Sequence, residues 1–164
     1  MIKFNDYAQT VKITIQISDK KDSVIQNIIV NPLDLYNTSF TDFNNVRSYI
    51  TNININKQVT DNDFGDFIIA DFNFDLLDDF ALKNGEGGNG GSEYIYFIQD
   101  SNTLFSEDKF LTYSMRYFPT KFDKENKTLI NYVNANAYGA NENIYKFDTL
   151  NKRWKLIKSN YKRV

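Results

Sequence analysis

The chain has no cysteine and no histidine. Without thiols there is no disulfide framework, no thiolate nucleophile and no zinc–thiolate site. Without imidazole, Ser-His-Asp catalysis is excluded, and so is the commonest ligand for a transition metal. Proline is scarce, with two copies in 164 residues. No apolar run approaches the ~18 residues that a membrane-spanning helix needs. The N-terminus lacks the basic-then-apolar layout of a secretory signal. Any catalysis would have to rest on carboxylates, Lys, Arg, Tyr, Ser or Thr. These absences point to a protein of the virion or the host cytoplasm, with no membrane partner and no cofactor.

What is present is aromatic and asparagine-rich. There are 14 Phe, 11 Tyr and 22 Asn, and 41% of the chain is hydrophobic. Large aromatic side chains suit strands and supply much buried area. A chain of this length reads as one domain, residues 1–164, able to bury a real core. The Asn, Ile, Lys, Phe and Tyr usage is typical of AT-rich coding sequence, as in bacteriophages and other viruses, low-GC bacteria and some protozoa.

Charge is unevenly distributed. Residues 61–108 hold twelve carboxylates against one cation, Lys83, whereas residues 109–164 hold twelve Lys and Arg against four carboxylates. The whole chain sums to -2, so the asymmetry is local. Local fields, more than net charge, decide what a surface attracts.

Hydrophobic patterning predicts an α+β fold, mainly antiparallel β (hairpins and a small sheet or sandwich) with one or two short helices. Val11, Ile13, Ile15 and Ile17 alternate with polar residues, and Val24 opens a second β-branched run after the polar turn 19–22. Together these predict a hairpin. Asn31-Pro32 has the form of a helix start. Leu33, Tyr36, Phe40, Phe43, Val46 and Ile50 follow at helical spacing. Residues 51–56 return to alternation.

Ile68, Ala70, Phe72, Phe74 and Leu76 alternate with Asp71, Asn73 and Asp75, which predicts a strand with one acidic face. Residues 76–82 read as a turn into helix. Residues 84–92, rich in glycine, form a flexible loop. In residues 93–99, Tyr94, Tyr96 and Ile98 occupy one face and Ile95 and Phe97 the other. A strand apolar on both faces belongs in the middle of a fold. Residues 112–118 alternate as a strand, residues 128–133 as another, and 134–143 read as a loop.

The last hairpin joins residues 144–147 to 154–157 through the turn 148–153. It resembles the outer hairpin of a kelch-type propeller blade, with its aromatic-Asp arm, Asn-bearing turn and Trp arm. The likeness is confined to this hairpin and occurs once, where a propeller requires several copies at ~50-residue spacing. It implies a β-hairpin and no activity.

Three constellations invite chemistry. Residues 61–66 place Asp61, Asp63 and Asp66 around Gly65 in a faint calcium-loop pattern, but the glycine stands one place early and the twelfth position is Phe72. Asp71, Asn73 and Asp75, with Asp78 or Asp79, have the donors for Mg²⁺-assisted phosphoryl or hydrolytic chemistry, but no companion Lys, Glu or His stands at a recognisable spacing. The basic C-terminus, with Tyr145, Trp154 and Tyr161 interspersed, has the residue types for nucleic acid. In each case a polar turn, a solvated strand face or an intramolecular charge contact weighs more.

The reading that fits best is a non-enzymatic protein–protein assembly component. Its finer form is a structural or accessory virion protein (head, collar or tail) of an AT-rich phage that forms a homo-oligomer or larger assembly. The alternatives are a small effector that binds and inhibits a host protein, and a carboxylate-dependent metal hydrolase using Asp71 and Asp75. Partner contacts are expected at Gly87, Gly88 and Gly90 of the loop and at Lys152, Arg153, Trp154 and Lys155 of the last hairpin.

Overall fold

Residues 93–99, apolar on both faces, require two covering layers, and the fold supplies them. The computed structural model describes residues 12–33, 48–50, 65–85, 88 and 90–163. Its strands are β1 (Ile13–Ser18), β2 (Val24–Val30), β3 (Ser48–Ile50), β4 (Phe67–Ala70), β5 (Asp79–Gly85) and β6 (Glu93–Gln99). They continue as β7 (Phe105–Glu107), β8 (Lys121–Asp123), β9 (Thr128–Asn136), β10 (Gly139–Asp148) and β11 (Arg153–Arg163). They form three sheets: the hairpin β1-β2, a central sheet β3-β4-β5-β6-β7, and a C-terminal sheet β11-β10-β9-β8. Pairing is antiparallel except between β3 and β4.

The central sheet is the middle layer. From one face, Ile68, Ala70, Ala81, Tyr94 and Tyr96 pack with Leu129, Tyr145 and Trp154 of the C-terminal sheet. From the other, Phe80, Leu82, Ile95 and Phe97 pack with Ile13, Ile28 and Val30 of the hairpin. Adjacent residues of β5 and β6 thus enter different cores, as the two-residue period requires. Phe80 stacks on Phe97 at 4.8 Å and on Phe67 at 5.1 Å, while Phe72 meets Tyr96 edge-on at 5.1 Å. Gln26 fixes the hairpin to the edge of the sheet through a reciprocal pair: its Nε2 donates to the Phe105 carbonyl and its Oε1 accepts from the Phe105 amide, both at 2.8 Å.

Four expectations change. Among the described residues the only helical turn is π-helical, Leu111–Met115, closed by the Arg116 amide donating to the Leu111 carbonyl at 2.8 Å. It replaces the strand expected at 112–118. Thr112 is turned inward, and its Oγ1 accepts from the Tyr96 amide at 3.1 Å. The amphipathic helix expected after Pro32 falls mostly outside the described residues, as does the strand at 51–56. Its last three positions, Ser48–Ile50, are a strand parallel to β4. Residues 76–82 do not turn into helix: Asp79–Gly85 is a wholly buried strand. The loop expected at 134–143 is mostly strand, because the β9–β10 ladder runs on to the pair Gly139 and Asn136. Asparagine content, a turn signal in general, is outweighed here by the cross-strand bond from Asn143 Nδ2 to Asn131 Oδ1 at 3.0 Å.

Tyr96 is fully buried, and its hydroxyl is one of two buried side-chain polar atoms without a hydrogen-bond partner among the described residues. A buried, unsatisfied hydroxyl costs about 1–3 kcal/mol. Tyr96→Phe is therefore expected to raise unfolding stability by roughly 1 kcal/mol, measured by denaturant titration at unchanged m-value. A loss of stability would mean that the hydroxyl is bonded in solution.

Candidate interaction site

One end of the fold is built from loops that each begin with an aspartate. Asp71 accepts hydrogen bonds from the amides of Asp75 and Leu76, both at 3.0 Å. Asp75 accepts from the Leu77 amide at 2.9 Å and from Asn73 Nδ2 at 2.9 Å. Asp100 holds the amides of Asn102 and Leu104, Asp123 that of Asn126, and Asp148 those of Leu150 and Asn151. Such side-chain bonds capture amides that would otherwise extend a ladder. This is why the strand expected through Phe72, Phe74 and Leu76 stops at Ala70. They also hold backbone in the left-handed region at Phe74, Leu76 and Thr103, where φ is 60°, 73° and 64°. The Asn126 and Asn151 side chains, then the bonded amides, hold Asp123 and Asp148 below their ordinary value, and the Leu104 and Asn102 amides do the same for Asp100.

Much of the acidity at this end is therefore turn chemistry. Asp71, Asn73 and Asp75 do come together, as their spacing suggests, but as interlocked turns and not as one strand face. No group of three or more carboxylates among the described residues is arranged to hold a metal ion. The calcium-like pattern at 61–66 lies largely outside the described residues, and within it Asp66 is fully buried.

Asp79 fixes this end to the central sheet. Its Oδ2 accepts from the Phe72 amide at 2.8 Å and its Oδ1 from the Gln99 amide at 2.9 Å. One buried carboxyl thus ties the Asp71 loop to the end of β6. Burial pushes its pKa up to about 7, reinforced by the charges of Asp75 and Asp71 and opposed by the two amides. Between this loop, the start of the β6–β7 turn and the β10–β11 turn lies a cleft of about 510 Å³. Phe74, Ile98 and Phe147 line it, with the acids Asp75, Asp100, Glu107 and Asp108 and the cations Lys127 and Lys152. Asp108 is also raised by burial, against the Leu111 amide that its Oδ1 accepts.

The opposite end is different in chemistry. There Tyr117 covers Gly90 so closely that a Cβ would overlap its ring, and Arg116 pairs with Glu93. Beyond the row Asn131, Asn143 and Ser159, the C-terminal sheet leaves the core and continues as a three-stranded arm. Ser159 Oγ and Asn143 Oδ1 are 2.7 Å apart, and Tyr161 folds over Gly139 with its hydroxyl donating to Asn136 Oδ1 at 3.1 Å. Lys162 Nζ bonds Glu142 at 2.7 Å and lies over the Tyr132 ring. The outermost strand, β11, has eleven residues, five of them cations and none acidic. Leu156, Ile157 and Tyr161 are each about half exposed.

The residues singled out in the sequence fall in three places. Lys152, Arg153 and Lys155 are exposed at the base of β11, and Lys152 lines the cleft. Trp154 is in the core against Phe147 at 5.0 Å, so it supports the hairpin from beneath. Gly88 is exposed, Gly90 lies under Tyr117, and Gly87 is outside the described residues. Sequence reasoning placed Leu156 and Ile157 in the last hairpin and set Tyr161 in the basic C-terminus as a candidate for nucleic acid, but it did not extend the strand through 158–163 or single these residues out as protein contacts. The available signal was a run from 155 to 163 in which neither alternate set is consistently apolar, as on an arm wet on both faces.

These features define an antiparallel β protein of three layers. No protein-family model and no curated protein matches the chain. A solved structure described as "Structure of a Xanthomonas Type IV Secretion System related protein" is similar, with a TM-score of 0.57 and 16% sequence identity over 99% of this chain and 78% of that one. The likeness is one of fold. Among the described residues no helix is long and apolar enough to cross a membrane.

The Asp79 carboxyl gives a pH signature. The folded chain keeps its proton to about pH 7, whereas the unfolded chain releases it near 3.8. Its contribution to stability is fully present below the unfolded value and is lost as pH rises to about 7. The denaturation midpoint is expected to fall as pH rises from 3.8 to about 7, the two values that bound the window. Asp79→Asn should flatten that slope, because its own cost, an amide group set against a backbone N–H, does not titrate. A residual slope belongs to Asp108. Equal slopes in the two proteins would show that Asp79 ionises normally.

Proposed function

We propose that the chain is a non-catalytic protein-binding and assembly component whose contact surface is the β9–β11 arm. The observation that carries this is β11. In the two larger sheets the other edge strands, β3, β7 and β8, have three residues each, and β11 has eleven. Natural sheets keep free edges short or shielded, since unpaired amides and carbonyls invite another strand. β11 is long and largely exposed, and it carries three half-exposed apolar residues, Leu156, Ile157 and Tyr161. Its five cations disfavour pairing with another β11 edge and leave it open to an acidic or neutral surface.

The finer reading is a structural or accessory virion protein. It is supported by the AT-rich type of composition and the split charge, which suits repeated contacts between subunits. The absence of His and Cys supports a non-catalytic role. The description of the similar fold as related to a type IV secretion system agrees with work among protein partners.

A photo-reactive residue in place of Ile157, with Lys20 as the control position, tests this in the source cell. A discrete adduct of higher mass from position 157 alone is expected on a denaturing gel. No adduct, or the same ladder from both positions, would contradict the reading.

A further inference from the structure

We propose that the partner of the basic arm is the acidic loop end of a second copy, so that copies join head to tail. This rests on the arm being the contact surface, and it adds the occupant. Three observations on the same two strands carry it.

The first is that each chain has both halves of the contact but cannot bring them together. The β10–β11 turn, with Lys152, lines the acidic cleft. The other end of the pair, where Gly139 faces Arg163, forms the arm. β10 has ten residues, which at ~3.3 Å per residue separates the two ends by about 30 Å. The strands are paired along this whole length, so the arm cannot fold back into its own cleft. A contact between arm and cleft must be intermolecular.

The second is charge. Two β11 edges facing each other would oppose five cations with five cations, which disfavours a symmetric β11 pair. The cleft end presents Asp75, Asp100, Glu107 and Asp108 together with exposed Asp78, five acids against the two cations Lys127 and Lys152 that also line the cleft. Lys158 and Arg163, exposed and on the outer half of β11, are the complementary charges.

The third is apolar surface at both ends. Leu76 and Leu150, about nine-tenths exposed, each follow a residue that lines the cleft, Asp75 and Thr149, and the arm offers Ile157 and Tyr161. Both leucines would lose solvent exposure if an arm docked over these turns. Because arm and cleft are different surfaces, each copy keeps one of each unused after pairing. The contact therefore propagates into a ring or a filament and does not stop at a dimer.

Sedimentation velocity at low salt with paired charge reversals tests this. Lys158→Glu with Arg163→Glu reverses the arm. Asp78→Lys with Glu107→Lys reverses the cleft end at acids that hold no backbone turn. The wild type is expected to gain mass with concentration and to lose it as salt is raised. Each double variant alone should stay monomeric. Their equimolar mixture should associate again, because arm and cleft are complementary only between unlike copies. That restoration also excludes misfolding as the cause of the loss.

A wild type that is monomeric at every concentration overturns the proposal, and so do variants that still associate alone or a mixture that does not. An adduct from position 157 at a mass other than a multiple of the chain would mean a different protein occupies the arm. The arm would then remain the contact surface without self-assembly.

Discussion

A sheet that is apolar on both faces cannot stand at a surface, and that constraint on β5 and β6 sets the rest of the fold. Phe80, Leu82, Ile95 and Phe97 require one cover, and Ala81, Tyr94 and Tyr96 require another. The hairpin β1-β2 is the first and the C-terminal sheet the second. Each cover is small. The hairpin has two strands, and it is fixed at the rim by Gln26. The C-terminal sheet covers the core only with its near half, through Leu129, Tyr145 and Trp154. Its strands are longer than the layer beneath them, and the surplus becomes the arm.

The same arrangement gives the molecule two chemically distinct ends. The strands run between them, so turns collect at one end and the arm leaves from the other. At the turn end, aspartates stabilise tight backbone by accepting amides, and acidity accumulates there as a by-product. Asp79 turns that collection of loops into a fixed feature by holding Phe72 and Gln99 from beneath. Among the described residues the arm adds nothing to either core cluster, so cross-strand bonds take over: Asn131 to Asn143, Tyr161 to Asn136, Lys162 to Glu142. These are polar interactions of modest strength. They are sufficient to order three paired strands while leaving most of β11 exposed.

The first hairpin, the two-faced strand β6 and the last hairpin were all legible in the sequence, because period-two patterning is strong where a strand is buried. Residues 71–78 were not. Ile68 to Leu76 alternates as cleanly as any strand, yet Asp71, Asn73 and Asp75 use their side chains to end the ladder at Ala70. Alternation cannot distinguish a carboxylate facing solvent from one folded onto its own backbone. The arm was missed for the opposite reason. With no core beneath them, Asn134, Asn136, Asn141 and Asn143 have no hydrophobic alternation to reveal a strand, and their composition reads as loop. The split charge was visible by counting, but its placement at opposite ends of one strand pair required the topology. Trp154 shows the limit of composition near a basic cluster: set among Arg153 and Lys155, it belongs to the core.

The central claim is that a doubly covered sheet anchors an arm held by cross-strand bonds alone, free along its outer edge. Native-state amide hydrogen exchange, resolved by residue on the isolated monomer, tests it most directly. The slowest amides should lie in β5 and β6, at Ala81, Leu82, Tyr96 and Phe97. Amides of β11 from Lys158 to Arg163 should exchange orders of magnitude faster, as expected where opening is local. Protection of Lys158 to Arg163 equal to that of β6 would contradict the account, because it would place the arm within the core or against a permanent cover.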